Sequence, residues 1–313
     1  MKGGKLALAL AGALLAAGAG ALPERQEMER LKLISALAVD GGPEVSVTAL
    51  TAVRSGGEEE PETFSGTGES LAQACRALRE SSARRAYLGQ TEQLLVAAES
   101  DLAEILDFVL VDRDLRMDTS IYIVKGAAGE ALAASAKLAP EETGGKDPRR
   151  RTVGETMARL AEGEPALIPA LAPAGDGTLA PAGWAVAGPG GIEGYLEGDA
   201  ALGAFLLSGG GAGEVVTLPG GAAAVTAVRT RARNGRLECV IEARRAQGEP
   251  DMAALAAWGE RQLRAALEAG WDCWGLGREL ACLRPWAWER MRDVDVSGLE
   301  VAVTGRLVEG YGT

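Results

Sequence analysis

Hydrophobic and polar positions along the chain alternate between short runs at a period of two and longer runs at helical spacing. Residues 31–40, "LKLISALAVD", are apolar on both faces, and "EVSVTALTAV" (44–53) follows Gly41, Gly42 and Pro43, which predicts a β-hairpin. Leu71, Cys75 and Leu78 then recur at helical spacing behind a glycine-rich start. "YLGQTEQLLVA" (87–97) reads as extended. Ser100 to Asp112 reads as a helix with Leu102, Ile105, Leu106, Val109 and Leu110 on one face, and "SIYIV" (120–124) as a β-branched strand before a closing helix, "AGEALAASA". The order ββαβαβα predicts an α+β domain over residues 22–137.

Periodicity breaks over 138–151, where Pro, Gly and charge occur without an apolar face, so this stretch reads as a linker. Residues 152–313 resume as a second α+β region, divided into subdomains of about 152–220 and about 221–313. The first holds a short helix bearing Val153, Met157 and Leu160, a Gly- and Pro-rich connection, the strand "WAVAG" and the helix "DAALGAFLLS". The second opens on a hairpin whose turn, Asn234-Gly235, tolerates the positive φ of a type I′ geometry, with strands of about eight residues on either side. A long amphipathic helix from Met252 to about Ala269, a Trp-rich segment and a final strand "LEVAVTGRL" complete the chain. The fold class predicted is therefore α+β and multi-domain, with mixed sheets and flanking helices.

The first residues change the picture of where the protein works. Lys2 and Lys5 precede an apolar run from Leu6 to Ala17 and a small-residue exit at Ala19, Gly20 and Ala21, the layout of a secretory signal over residues 1–21 with cleavage between Ala21 and Leu22. The run is shorter than the roughly 20 residues that cross a bilayer. Acidic residues number 44 against 32 basic ones, which argues against a nucleic-acid partner. Arg149, Arg150 and Arg151 read as a solvated linker. Histidine is absent, and with it the His-dependent triads and imidazole zinc sites. None of the four cysteines forms a CxxC pair. Cys75 and Cys239 fall on apolar faces and read as core, whereas Cys273 and Cys282 fit a disulfide and two buried thiols equally well. "SGTGES" lacks the Lys-Ser/Thr ending of a phosphate loop, "GGGAG" (209–213) reads as a helix stop, and no cofactor is implied.

The local signatures, taken in order, resemble the Ger(x)C family, the C subunits of spore nutrient-germinant receptors. "ERQEMERLKLISALAVD" resembles the family's charged lead into a strand ending in Asp, here Asp40, and "SGTGESLAQACRAL" its Gly-x-Ser helix start at Gly68 and Ser70. "DFVLVDRDLRMDTSIYIVKG" resembles its RDxxIR-like element at Asp112 and Arg116 and a strand ending at Lys125 and Gly126. "WDCWGLGRELACLRPWAW" is similar to its DxxGxG and PxxW signatures at Asp272, Gly275, Gly277, Pro285 and Trp288. The chain departs from the pattern at three positions: Leu22 stands where the lipid-receiving cysteine belongs, Gln90 replaces a histidine, and Val111 replaces the first arginine of the RDxxIR element.

The resemblance implies a non-enzymatic subunit, exported to the outer face of the inner spore membrane and held there peripherally or by an uncut N-terminal anchor. It also implies partnership with A and multi-pass B type subunits in nutrient-triggered germination. Two other classes compete. A carboxylate-dependent glycan hydrolase needs two acids of separated pKa, for which Glu58, Glu59 and Glu60 read as a solvated loop and Asp112 and Asp114, with Arg116 near a helix dipole, as a surface cluster. A free exported ligand-binding protein would draw its pocket from Trp271, Trp274, Trp286 and Trp288, which equally suit a core cap where the long helix meets the final strand.

Overall fold

A computed structural model describes residues 31–51, 61–82, 84–112, 114–135, 150–175, 178–207, 213–233, 236–274 and 300–308. In chain order the elements are β1 (Leu31–Asp40), β2 (Val45–Thr51), β3 (Thr63–Gly68), α1 (Leu71–Ser81), β4 (Arg85–Tyr87), β5 (Gln93–Ala97), α2 (Leu102–Val111), β6 (Ser120–Val124) and α3 (Ala128–Ser135). There follow α4 (Val153–Ala161), β7 (Ala166–Pro173), β8 (Leu179–Gly188), β9 (Gly191–Leu196), α5 (Gly198–Leu207), β10 (Val215–Leu218), β11 (Gly221–Arg233), β12 (Arg236–Gly248), α6 (Met252–Glu268) and β13 (Glu300–Leu307). The class is α+β, built on two mixed sheets.

The larger sheet has the order β3-β2-β1-β5-β6-β7-β8-β9, with β4 paired to β1. Strands β1, β5, β6 and β7 run parallel, so Val39, Val96, Ile123 and Ala170 lie in one row across the sheet and all four strands end on one edge. The sheet includes strands from both sides of the stretch assigned above to a linker, because β6 is hydrogen-bonded to β7. The N-terminal unit also holds two strands absent from the predicted order. Strand β3 occupies part of the predicted glycine-rich helix start, and β4 precedes a 3-10 turn at Leu88–Gln90 within the segment read as extended. The stretch read as a Gly- and Pro-rich connection contains β7. The later hairpin strands run for 13 residues each, and their turn lies outside the described residues.

Each face of the large sheet is covered by helices, and those on one face, α1, α2 and α4, carry apolar stripes visible in the sequence. On one face, α1 packs Leu71, Cys75 and Leu78, α2 packs Leu102, Ile105, Leu106 and Val109, and α4 packs Val153 against Ile34, Leu37, Val47, Ile121 and Ile168, whereas Leu110, expected on the same stripe of α2, is 57% exposed because it falls on the solvent side of the helix. Leu78 is fully enclosed, and burial of such a side chain contributes about 2 kcal/mol. On the other face, α3 sets Ala128, Ala131 and Leu132 on Ala36, Ala38, Leu95 and Val124. Farther along, α5 sets Ala201, Ala204 and Phe205 on Trp184 and Val186, the two rings stacked at 5.5 Å.

The smaller sheet, β10-β11-β12-β13, packs one face on α6. β13 returns parallel to β12 after the helix. Helix α5 joins the two halves: Phe205 belongs to the core beneath the large sheet, and Leu206 and Leu207 to the core beneath the small one.

Candidate functional site

The motif positions are the natural candidates, and the structure gathers the described ones, apart from Asp272, into two groups. The first lies on the carboxyl edge of the parallel strands. Asp40, the last residue of β1, accepts the backbone N–H of Ala128 on Oδ1 at 2.5 Å and that of Gly129 on Oδ2 at 2.8 Å. A carboxylate there satisfies two N–H groups that a helix start leaves without partners and meets the positive end of the α3 dipole. Next along the edge, the Ser100 hydroxyl accepts the Gly41 N–H at 2.7 Å and donates to the Val39 carbonyl at 3.3 Å, fastening the end of β1 to the loop after β5.

Lys125 and Gly126 follow the end of β6. The Lys125 ammonium pairs with Glu197 and lies 4.2 Å from the centre of the Tyr195 ring, so one side chain ties β6 to β9 and to the residue before α5. Burial, then the charge of Glu99, raises the Tyr195 phenol above its ordinary pKa. Gly126 has φ +135°, a backbone region that favours glycine, and this residue turns the chain toward α3.

The second group anchors α1. In "TFSGTGES" (63–70) the side chains alternate, and Gly66 and Gly68 face the helix. A Cβ at Gly66 would lie 2.2 Å from the Leu78 nitrogen, and one at Gly68 would lie 2.6 Å from Gln73 Cβ, so the helix backbone rests directly on the strand. Ser70 then caps α1, its hydroxyl accepting the Gln73 N–H at 3.4 Å. Asp112, at the C-terminal cap of α2, accepts Arg79 of α1 at 2.8 Å and the Asp114 N–H at 2.9 Å. Asp114 shares the same guanidinium at 3.6 Å. Arg116 does not turn to the α2 dipole as expected: its guanidinium is bidentate to Asp118 at 2.8 and 2.5 Å, on the surface.

Asp272 lies far from both groups, where its carbonyl accepts from Arg159 at 3.4 Å. Ala21, Leu22, Gly275, Gly277, Pro285 and Trp288 lie outside the described residues, as do Glu58, Glu59, Glu60, Cys282, Trp286 and Arg149. Arg150 donates to the Asp118 carbonyl and Arg151 lies over the Trp184 ring at 5.3 Å, so these two linker arginines have structural partners. Trp271 packs on Gly194, where a Cβ would stand 2.6 Å from the ring, and Trp274 touches the cores of both sheets.

Chemically, the described arrangement fastens more than it reacts. Cys75, Cys239 and Cys273 are free and buried, and burial pushes each thiol up to about 12, away from the thiolate form that attacks electrophiles or binds metals. Among the described residues, no three His, Cys, Asp or Glu side chains stand together as metal ligands. No described helix is long and apolar enough to cross a membrane.

Residues 24–143 match the family described as "Spore germination protein N-terminal domain". Over these residues the chain belongs to that family. The architecture of the chain is similar to that of the crystal structure of the GerBC protein, at 13% identity and a TM-score of 0.52, covering 87% of this chain and 97% of that one. A search of curated proteins finds no match. The fold likeness extends well past the family's N-terminal domain. Asp40, Gly68, Ser70, Asp112, Arg116, Lys125 and Gly126 all fall inside the matched residues, while Asp272 falls outside them.

Proposed function

We propose that the chain is the C-type subunit of a spore germinant receptor, a non-enzymatic protein that acts in nutrient-triggered germination through contacts with A and B type membrane subunits. The observation that carries the reading is the match of residues 24–143 to a spore germination domain, and the fold likeness to GerBC supports it. The disposition of the motif residues agrees with it. Asp40, Ser70 and Asp112 spend their polar atoms on backbone and ion-pair partners of the same chain, as groups do when they maintain a shape for others to bind. The place of action is the outer face of the inner spore membrane, with retention by neighbouring subunits rather than by lipid, since Leu22 offers no thiol for acylation.

Crosslinking in dormant spores followed by capture of this chain tests the proposal. Recovery of a multi-pass A or B type partner is expected, together with slower or incomplete nutrient-triggered germination when the gene and its paralogues are deleted. Capture of no membrane partner, with germination unchanged by deletion, overturns it.

A further inference from the structure

Helix α3 covers only the middle of its face of the large sheet, and the strands beside it, β2 and β3, present hydroxyls there. The alternation that turns Gly66 and Gly68 toward α1 turns Thr63, Ser65 and Thr67 to the opposite face. In the antiparallel register Thr48 stands beside Ser65 and Ser46 beside Thr67, so the hydroxyls form cross-strand pairs. Ser46, Thr48, Thr63 and Ser65, together with Phe64, form the floor of an open groove of about 440 Å³ whose wall runs along α3, at Ala127, Gly129 and Ala133. The wall is close: a Cβ on Gly129 would lie 2.7 Å from the Thr48 hydroxyl and 2.8 Å from Asp40 Oδ2. None of the four floor hydroxyls has a hydrogen-bond partner among the described residues.

We propose that this groove binds a small neutral polyol, a sugar or a cyclitol. Hydroxyls donate and accept, so a set of them with no partner among the described residues complements a ligand whose own groups do both. Asp40 and Glu130 border the groove and supply further acceptors, and no lysine or arginine among the described residues lines it, which disfavours an anion. The carboxylates do not make it a cation site. Asp40 already serves the α3 N–H groups and the helix dipole, and Glu130 is exposed to water, which leaves the hydroxyls as the recognising groups. The proposal does not rest on the receptor-subunit reading.

Ligand-observed NMR and calorimetry on the purified full-length chain test it, with glucose, myo-inositol and glucosamine as probes. Glucose or myo-inositol is expected to bind at about 1 mM, and Thr48→Val combined with Ser65→Ala to weaken binding about tenfold or more. Ser65→Gln, a change at an exposed position that fills the groove without touching the core, is expected to abolish binding with the unfolding curve unchanged. The proposal is overturned if neither polyol binds up to about 50 mM, a range in which even weak sugar sites register. It is equally overturned if binding survives both variants, or if glucosamine alone binds, because the carboxylates would then be the recognising groups.

Discussion

Removing the Asp40 carboxylate isolates the energetics of the carboxyl edge. Helix α3 has eight residues, too few to hold helical form by itself, and its first turn contains a glycine. Its start is fixed by two charge-assisted bonds, at 2.5 and 2.8 Å, from one partly buried carboxylate. Bonds to charged groups contribute about 1.5–3 kcal/mol each; because both share one carboxylate their loss is less than additive, and Asp40→Ala is expected to cost about 3 kcal/mol locally. Asp40→Asn keeps the shape and one acceptor oxygen but presents an NH2 to the second N–H, for about half that cost. Hydrogen exchange reads the difference directly. A local loss of 3 kcal/mol speeds opening of the α3 amides about 150-fold, while the α1 and α2 amides keep wild-type protection. If Asp40→Ala leaves α3 exchange within about twofold of wild type, the carboxylate does not anchor the helix, and the assignment of this motif position to architecture is wrong.

Other substitutions and conditions separate fasteners from bystanders. Gly66→Ala should destabilise the chain by about 3 kcal/mol in chemical unfolding, since its Cβ meets backbone atoms of α1, whereas Thr67→Ala on the opposite face should change little. Arg79→Ala should cost about 2–3 kcal/mol by leaving the nearly buried Asp112 carboxylate unpaired, against about 0.5 kcal/mol or less for Arg116→Ala, whose ion pair is exposed. The buried thiols give a pH signature. Their folded pKa of about 12 lies above the ordinary 9.0, so the unfolded chain releases these protons first; the stabilisation is complete below pH 9.0 and declines as pH rises toward about 12. Unfolding curves at rising pH should show that decline, and a thiol reagent should label Cys75 and Cys239 only in denaturant. The intact mass of the mature chain should match an unmodified polypeptide, and a diacylglyceryl adduct on an N-terminal fragment would contradict the reading of Leu22.

Much of the fold was legible because its helices carry regular apolar stripes and its β-branched strands are bounded by turns. Leu71, Cys75 and Leu78 marked α1 within a residue or two, and Met252 marked the start of α6. Of the strands that went unread, β3, β4, β7, β9 and β10, two were hidden for identifiable reasons. β3 shows no apolar alternation because two of the positions facing α1 are Gly66 and Gly68, where the helix backbone occupies the space side chains would fill. β7 contains Pro169 and Pro173, which argue against a strand between two partners. Its register with β8 shifts between Pro169 and Leu171, and such an irregularity is where a central strand accommodates proline. With β7 unread, the pairing of β6 to β7 across the predicted linker was unreadable too, since local periodicity carries no information about which strands meet.

The site was less legible than the fold, and the reason lies in sequence distance. Asp40 meets its N–H partners 88 and 89 residues away, Arg79 meets Asp112 across 33, and Lys125 meets Glu197 across 72. Residue type and local spacing can mark such positions without stating what they hold. Once the partners are known, a physical distinction follows. A residue that holds helices in place should lower stability and germination together when changed, because its effect passes through the shape of the chain. A residue that recognises a partner or ligand should lower germination with stability untouched. Asp40, Gly68 and Asp112 belong by their contacts to the first kind. Thr48 and Ser65, with hydroxyls that no described residue uses, are placed to be of the second. Measuring both quantities on one set of variants therefore divides the chain's architecture from its recognition surface, a division the family motif alone does not make.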